Sequence, residues 1–414
     1  MSRVVVIGAG LAGLVAANRL ADAGLAVTLL HKGLGGLQLG QGSIDVFGYA
    51  PDRVLNPIKA VSQVATSHPY AATGSSAVLD GLAYLKQELP ELLVGDPEAN
   101  YQLPTAVGSV RPTCLAQPSM IAGHVRDGAE LVIVGIRQLK DFHPQLVAEN
   151  LSRTVLPDGG RLSARHVWVD LPARDGEVDS SPVGYARAFD TEAFRIAFAT
   201  ALSPQLNGDE IVGLPAVVGL TDPKAWRDLA GKLGHLVFEI PLPPPSIPGM
   251  RLNQALTARA LAANVRIVPG VRTHAFSTVA GRVASVTTAA GPGGRTYPAD
   301  AFVLATGGFE SGALELDSHQ VVRETLFGLP LTGVGDGALL HGDYWGPEQP
   351  LFRVGVSVDD RMRPVDPWGA PAYPNLWAAG GILAGASGWR ELSGDGIAVA
   401  SAVAAAAAIT KELS

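Results

Sequence analysis

The sequence predicts an α/β protein in which a parallel-sheet domain of the nucleotide-binding kind is interrupted by a smaller α+β cap domain. Three observations support this fold class: a strand–glycine–helix–strand unit at the start, two glycine-ended apolar strands far downstream, and a proline-rich segment between them. At 414 residues the chain exceeds one ordinary hydrophobic core, so two domains are expected. We place the nucleotide-binding domain at residues 1–83 and 246–414 and the cap at residues 84–245.

The first element is a buried strand that ends in a glycine turn. The run Arg3–Ile7 leads into GAGLAG, which sets Gly8, Gly10 and Gly13 in G-x-G-x-x-G spacing, and a helical pattern and the apolar run LAVTLL follow. In this motif the first glycine makes the turn, the second lets the backbone approach a pyrophosphate, and the third lets the helix pack on the strand. The helix N-terminus also favours the negative charge of a phosphate. This order predicts a Rossmann-like FAD/NAD(P)-binding domain.

The second strand ends in His31 and Lys32, where an acidic residue usually binds the adenosine ribose. A neutral imidazole keeps one acceptor nitrogen, and Lys32 adds positive charge that favours a phosphate. Both are candidate cofactor contacts. The pair leaves open a dinucleotide held weakly at its adenosine end or a shorter flavin. The segment GLGGLQLGQGSIDVFG that follows, with Gly42 and Ser43, is either a loop along an extended ligand or a surface loop.

Two later strands also end in glycines. AFVLA breaks into Thr306 and Gly307, and NLWAAGG carries Gly381. An alanine-rich helix begins near Asp395 and Gly396, and the dipole at its start would stabilise the anionic side of a reduced flavin ring. Its apolar run is shorter than a membrane span requires.

The remaining segments complete the domain plan. IPLPPPSIPG is a stiff return linker, and VRIVPGVRTHAFSTVAGRVASVTTAAG predicts a small antiparallel hairpin region. In the cap, LVIVGIRQLKDFHPQLVAENL predicts a strand followed by a helix, and Phe194 and Phe198 share a helical face that predicts core positions.

Composition excludes several classes of protein. The formal charge is 31 − 38 = −7 with no run of Lys or Arg, which disfavours a nucleic-acid surface. The single cysteine, Cys114, excludes an internal disulfide, a thiolate zinc site and a cysteine-ligated iron–sulfur cluster, and no other metal-ligand cluster is expected. The chain starts directly with a strand-like run, so we expect no signal peptide and a soluble protein.

The motifs together resemble the flavoprotein superfamily that includes fumarate reductase and glycerol-3-phosphate dehydrogenase. The resemblance is carried by VVVIGAGLAGLVAANRLADAG, FVLATGGF and NLWAAGGILAG with SGDGIAVASAVAAA. Within it, GQGSIDVFG, PSIPGMRLNQAL and FRVGVSVDDRMRPVDPWGAPAYPNLWAAGGILAG resemble the B-subunit family of anaerobic, multi-subunit glycerol-3-phosphate dehydrogenases. The section from about Pro90 to Leu242 carries little that aligns.

The resemblance implies a flavin and a set of contacts to it. VRIVPGV is similar to the strand whose end, near Val271, lies against the adenine in FAD-binding relatives, whereas His31 and the usual assignment of this family favour FMN. We expect FAD, with FMN as the alternative. The implied contacts are Gly8, Gly10, Gly13, Ser43, Thr306, Gly307, Gly381, Asp395 and Gly396.

The implied activity is oxidation of sn-glycerol 3-phosphate to dihydroxyacetone phosphate, with electrons passed towards quinone. The family works with a second flavoprotein subunit and an iron–sulfur, membrane-anchoring subunit, so we expect a cytoplasmic chain, peripheral to the membrane through a partner. The alternative is a flavin-bearing electron-relay or assembly subunit whose partner holds the substrate. A NAD-dependent dehydrogenase is disfavoured, because the ATGG and C-terminal segments would then lack a purpose.

Alcohol oxidation on a flavin needs a base, and a phosphate needs cations. Arg251, Arg353 and Arg390 are candidate cations, because a guanidinium pairs two oxygens at once. His341 is the candidate base, with His319 as a second possibility. No motif surrounds any of them, so surface or structural roles remain the alternative. His124 and His143 are expected to be structural.

Overall fold

A computed structural model describes residues 2–289, 294–335, 337–343 and 346–414. Within these residues the helices are α1 (Leu11–Asp22), α2 (Pro57–Val61), α3 (Pro69–Glu88), α4 (Pro118–Ile121), α5 (Pro144–Arg153), α6 (Pro182–Phe189), α7 (Glu192–Leu202), α8 (Ala225–Leu233), α9 (Ile247–Ala262), α10 (Gly388–Glu391) and α11 (Gly394–Leu413). The strands are β1 (Arg3–Ile7), β2 (Ala26–His31), β3 (Val94–Gly95), β4 (Tyr101–Pro104), β5 (Val110–Thr113), β6 (Leu115–Ala116), β7 (Glu130–Ile136), β8 (Ser163–Val169), β9 (Ile211–Pro215), β10 (Val237–Ile240), β11 (Arg266–Pro269), β12 (Thr273–Val279), β13 (Arg282–Thr288), β14 (Arg295–Pro298), β15 (Ala301–Leu304), β16 (Leu314–Leu316), β17 (Val322–Glu324) and β18 (Leu376–Ala378).

The chain divides into two units by its internal contacts. The first unit comprises Met1–Gly36, Asp45–Glu88 and Ala255–Ser414, and the second comprises Leu37–Ile44 and Leu89–Gln254. The first unit is thus discontinuous in sequence, and the second unit comprises a short segment and one long segment.

The unit bounds differ from the expected ones by a few residues. Helix α3 continues to Glu88, past the expected bound at residue 83. Helix α9 runs unbroken from Ile247 to Ala262, so the chain returns to the first unit inside this helix and not at the proline-rich segment. Both differences have one cause, because a continuous helix carries the chain beyond the point where composition changes.

The first unit is built on a five-stranded sheet with the order β11-β2-β1-β15-β18. Every neighbouring pair in it is parallel. The central strands β1 and β15 are apolar runs that are buried along nearly their whole length, as expected where both faces of a sheet are covered. The expected parallel sheet is therefore confirmed. Since the strands are parallel, their carboxyl ends share one edge, which is where ligands bind in such sheets.

Helix α11 is the long alanine-rich helix of the first unit, and it packs against α1 and α3. It has 20 residues, more than the apolar run in the sequence suggested, and within the described ranges it is the one helix long and apolar enough to cross a membrane. Of its most apolar window, 56% is buried inside the protein. Its many alanines let neighbouring helices approach closely. This composition is therefore that of a core helix.

The second unit is built on a four-stranded sheet with the order β10-β9-β7-β8, again wholly parallel. Helices alternate with these strands, so the unit is mainly α/β where an α+β cap was expected. The antiparallel ladders of this unit, β3–β6 and β4–β5, are short. The reason lies in strands such as β7, whose residues after Glu130 are all buried. Such a strand needs cover on both faces.

Three local predictions are confirmed. The strand and helix expected after residue 130 are β7 and α5, and Phe198 is fully buried with Phe194 packed against the same core. In the first unit, β12, β13 and β14 form the expected antiparallel hairpin region. Part of its second connection, residues 290–293, lies outside the described residues.

Candidate cofactor site

The glycine turn after β1 shows why each glycine is there. Gly8 has a φ of +111°, and a Cβ on it would overlap the carbonyl oxygen of Ala305. A Cβ on Gly13 would overlap the carbonyl oxygen of Gly8. A Cβ on Gly10 would meet nothing within 4 Å. Gly8 and Gly13 are therefore required by packing, while Gly10 faces open space.

Helix α1 presents its positive end at this turn. Gly10 is its N-cap and supplies no side-chain bond, and the first turn holds no acidic residue. The first amides of a helix have no partner within the helix, and they carry the positive end of its dipole. The arrangement suits an anionic group such as a phosphate.

His31 and Val271, distant in sequence, meet at the ends of neighbouring strands. The Val271 N–H donates to the His31 carbonyl oxygen at 3.0 Å. The Nδ1 of His31 lies 2.7 Å from the Gly33 carbonyl oxygen, which only accepts, so Nδ1 carries the hydrogen. In the neutral ring Nε2 is then an acceptor, and it has no hydrogen-bond partner among the described residues.

Lys32 reaches across the same edge of the sheet. Its Nζ donates to the carbonyl oxygen of Ser311 at 2.7 Å. Lys32 follows β2 and Ser311 follows β15, and these strands flank β1 on its two sides. The lysine side chain thus spans the end of β1, where the glycine turn lies.

The glycine-ended strands β15 and β18 bring their predicted residues together. The Oγ1 of Thr306 is buried and has no hydrogen-bond partner among the described residues. Gly307 has a φ of +81°, and a Cβ on Gly381 would lie 3.7 Å from its Cα. A buried hydroxyl without a partner needs an explanation in a native structure, and contact with a bound ligand would supply one.

At the start of α11 the structure changes the role expected for one glycine. A Cβ on Gly396 would overlap the hydroxyl of Tyr70, so this glycine is required by packing. The open position is Gly394, where a Cβ would meet nothing within 4 Å. Sequence reasoning missed Gly394, although it stands at the first position of the helix. The Oδ2 of Asp395 lies 3.4 Å from the backbone nitrogen of Asp45, which donates to it.

Gly42 and Ser43 belong to the second unit. A Cβ on Gly42 would overlap the backbone of Pro248, and the Gln117 side chain donates to the Gly42 carbonyl oxygen at 3.3 Å. The Nη2 of Arg111 donates to the Ser43 hydroxyl oxygen at 2.6 Å. Sequence reasoning missed Arg111, because it lies in the section without a recognisable motif.

Arg251 does not present its guanidinium to a ligand within the second unit. It is 8% exposed, and its Nη1 donates to Glu239 at 2.7 Å and to the Gln117 side chain at 3.0 Å. Its Nε donates to the Gly219 carbonyl oxygen at 2.8 Å. These partners occupy the guanidinium fork, which favours the structural role that was the alternative.

The other catalytic candidates lie in the first unit. Arg353 contacts the Gly385 carbonyl oxygen at 2.6 Å, Glu348 at 2.9 Å and Glu391 at 3.1 Å. Arg390 is exposed on α10 and forms no ion pair among the described residues. His341 is exposed, and its backbone N–H donates to Gln349.

Three further histidines singled out in the sequence, His124, His143 and His319, lie in ordinary structural or surface positions. His124 accepts a hydrogen bond from the Gln102 backbone N–H at 2.9 Å, and burial lowers its pKa. His143 is exposed at the start of α5, and His319 is exposed in the turn before β17. These positions agree with the structural or surface roles expected for His124 and His143.

Comparisons with known proteins place the chain among FAD-binding proteins. The model of the FAD binding domain family matches residues 3–397. The probable B subunit of an anaerobic glycerol-3-phosphate dehydrogenase of Halobacterium salinarum is 33% identical over 426 residues, covering 100% of this chain and 98% of the relative. The B subunit of the anaerobic glycerol-3-phosphate dehydrogenase of Yersinia pseudotuberculosis is 30% identical over 430 residues, covering 99% and 98%. Among solved structures, 3-ketosteroid Δ1-dehydrogenase of Sterolibacterium denitrificans is 11% identical with a TM-score of 0.46, covering 100% of both chains.

Proposed function

This chain belongs to the FAD binding domain family, among the anaerobic glycerol-3-phosphate dehydrogenase B subunits, and we propose that it oxidises sn-glycerol 3-phosphate to dihydroxyacetone phosphate as part of a multi-subunit complex. Family membership makes FAD the cofactor, so the expectation of FAD is confirmed over FMN. The full-length match to the B subunits is the observation that carries the proposal, because it spans both units.

The first unit offers groups that fit FAD. The open face of Gly10 and the amides at the start of α1 would hold the pyrophosphate. The Nε2 of His31 would accept a hydrogen bond from the adenosine ribose, with Val271 against the adenine. Thr306 would supply its unpaired hydroxyl. The bound flavin supplies the acceptor for the hydride that leaves the alcohol carbon.

Substrate binding requires a cation for the phosphate and a base for the hydroxyl proton. Arg390 is the strongest remaining candidate for the cation, because it is exposed and has no ion-pair partner among the described residues. Arg353 is already tied to two carboxylates. His341 remains the candidate base because its ring is exposed.

The proposal extends to the assembly. The relatives are named as B subunits, so we propose that a second flavoprotein subunit and an iron–sulfur, membrane-anchoring subunit complete the complex and pass electrons to quinone. This chain would then lie on the cytoplasmic side, peripheral to the membrane through a partner.

One observation favours a second candidate function, that of an electron-relay or assembly subunit. Of the three arginines expected at the phosphate, Arg251 is enclosed in the second unit and Arg353 is held by Glu348 and Glu391. A chain whose partner binds the substrate needs no such cluster.

The two candidates are separated by anaerobic reduction of the purified chain. Mass spectrometry first identifies the released cofactor, and flavin absorbance is then followed after addition of sn-glycerol 3-phosphate, with the sn-1 isomer as control. Bleaching by the chain alone supports the dehydrogenase. Bleaching only with the second flavoprotein subunit present supports the relay, and a folded chain that binds no FAD overturns both.

A further inference from the structure

A buried histidine–glutamate pair lies in the first unit, and no motif pointed to it. His68 immediately precedes α3, and Glu391 is the last residue of α10. Their side chains are 6% and 13% exposed, and His68 Nε2 lies 3.1 Å from Glu391 Oε2. Ionisable groups are buried only when they are well paired, so the role of this pair needs an explanation.

The His68 ring is held in one orientation. The backbone N–H of Tyr70 donates to His68 Nδ1 at 3.1 Å, so Nδ1 is an acceptor. The ring hydrogen therefore lies on Nε2, which donates to Glu391. The ring also stacks on Tyr70 with 5.0 Å between centroids and meets the edge of Phe47. Both ring nitrogens of His68 thus have hydrogen-bond partners in the same unit.

Glu391 collects contacts from three segments. Its Oε1 accepts from Arg353 at 3.1 Å, while its backbone oxygen accepts from the N–H groups of Gly48 at 2.7 Å and Tyr49 at 3.0 Å. Burial by itself raises the pKa of the Glu391 carboxyl, but the hydrogen bond from His68 and the charge of Arg353 bring the pKa below its usual value. The carboxylate therefore stays ionised and holds these segments together.

Glu391 lies shortly before α11, which begins at Gly394. Leu392 has a φ of +48°, a left-handed conformation that a leucine adopts only when its surroundings impose it. In the first turn of α11, the Gly396 N–H donates to the Asp45 carbonyl oxygen at 3.0 Å. The Tyr70 hydroxyl donates to the carbonyl oxygen of Val46 at 2.6 Å. Residues 45–49 and 391–396, which we call the α11 corner, are therefore locked into one piece.

We infer that His68 and Glu391 are positioning residues for FAD, which hold the α11 corner so that the positive end of the helix dipole stabilises the negative charge gained on reduction. This inference rests on the proposed function, and on the flavin contact at Asp395 that the family resemblance implies. Neither side chain is required to touch the flavin. Their effect reaches it through the backbone of the α11 corner.

The test is the reduction potential of bound FAD in two His68 variants, measured against a reference dye. His68→Leu removes the donor to Glu391, and we expect the ratio of reduced to oxidised flavin at the wild-type midpoint to fall about threefold, the size of one helix–charge interaction. His68→Gln keeps an amide donor, so its ratio is expected to lie closer to that of the wild type. A purely structural role would change stability without this graded change in potential.

Glu88→Gln is the matched control, because it loosens another half-buried ion pair of the first unit, between Glu88 and Arg259, with side chains 21% and 25% exposed. Its flavin potential is expected to stay at the wild-type value. A wild-type potential in His68→Leu, or equal shifts in all three variants, would overturn the inference. If His68→Leu does not fold by circular dichroism, His68→Asn replaces it, because the shorter amide does not reach Glu391. Failure of the proposed function would appear separately, as absence of FAD or of flavin reduction by sn-glycerol 3-phosphate in the unchanged chain.

Discussion

At the scale of single residues, the substitution of histidine for the usual acidic residue after β2 has a structural explanation. The bond from His31 Nδ1 to the Gly33 carbonyl oxygen leaves Nε2 as an acceptor. A hydroxyl donor such as a ribose can use this nitrogen as it would use a carboxylate oxygen, but without the negative charge. We therefore propose that His31 takes over the acceptor role of that position.

His31→Leu tests this role. Removing the acceptor of one hydrogen bond from the ribose costs roughly 0.5–1.5 kcal/mol, so we expect the FAD dissociation constant to rise about two- to twelvefold. His31→Gln keeps an acceptor oxygen and serves as the control, with a smaller increase. The measurement is fluorescence titration of the apoprotein with FAD, and an unchanged constant in His31→Leu would contradict the assignment.

At the scale of elements, α9 carries Arg251, a candidate cation for the substrate phosphate whose guanidinium pairs with groups of the second unit. Arg251 lies on the part of α9 that belongs to the second unit, and it pairs with Glu239 on β10. Glu239 also accepts from the Ser119 hydroxyl and the Val218 backbone N–H. The ion pair connects the first part of α9 to β10, the edge strand of the parallel sheet.

Arg251→Met is expected to destabilise the chain by about 3–5 kcal/mol, because it leaves the Glu239 carboxylate buried without its cation. Chemical denaturation measures this change. Arg227→Met is the control, since its pair with Glu91 is more than half exposed and is expected to matter by less than about 1 kcal/mol. Adding Glu239→Gln to Arg251→Met should recover part of the loss, and no recovery would show that the arginine stabilises by packing alone.

At the scale of the whole molecule, paired carboxylates set the response to acid. The pKa of Glu210 is lowered chiefly by its hydrogen bonds to Arg165, and that of Asp228 by Lys232 and Arg195. The pKa of Glu391 is lowered as well, whereas burial raises the pKa of Glu324. Lowered and raised carboxyl pKa values affect the pH dependence of stability in opposite directions. Of these four carboxyls, three have a lowered pKa and one has a raised pKa.

Thermal stability is therefore expected to fall in acid. A carboxyl whose folded pKa is lowered stabilises the protein above its unfolded pKa, here 4.5 for glutamate and 3.8 for aspartate, and loses that contribution as the pH falls through the folded pKa. Scanning calorimetry between pH 7 and pH 3 should show a nearly constant Tm that declines below about pH 4.5. In Arg165→Met the decline should be shallower, and a decline of equal steepness would exclude this pair as a cause.

The sequence by itself determined the local elements and the family. Turns and hydrophobic periodicity depend on residues that are neighbours in sequence. The sequence therefore predicts the glycine turn at Gly8, Gly10 and Gly13, the buried strands and the hairpin region. The glycine-ended strands at Thr306, Gly307 and Gly381 were found for the same reason.

The tertiary structure decided what depends on residues far apart. It placed Val271 beside His31 and buried Arg251 against Glu239. It packed Gly396 against the hydroxyl of Tyr70 and left Gly394 as the open position. It also brought His68 to Glu391 across 323 positions of sequence. Such contacts arise from the packing of whole elements, and no periodicity or spacing within one segment encodes which distant side chain will fill a given place.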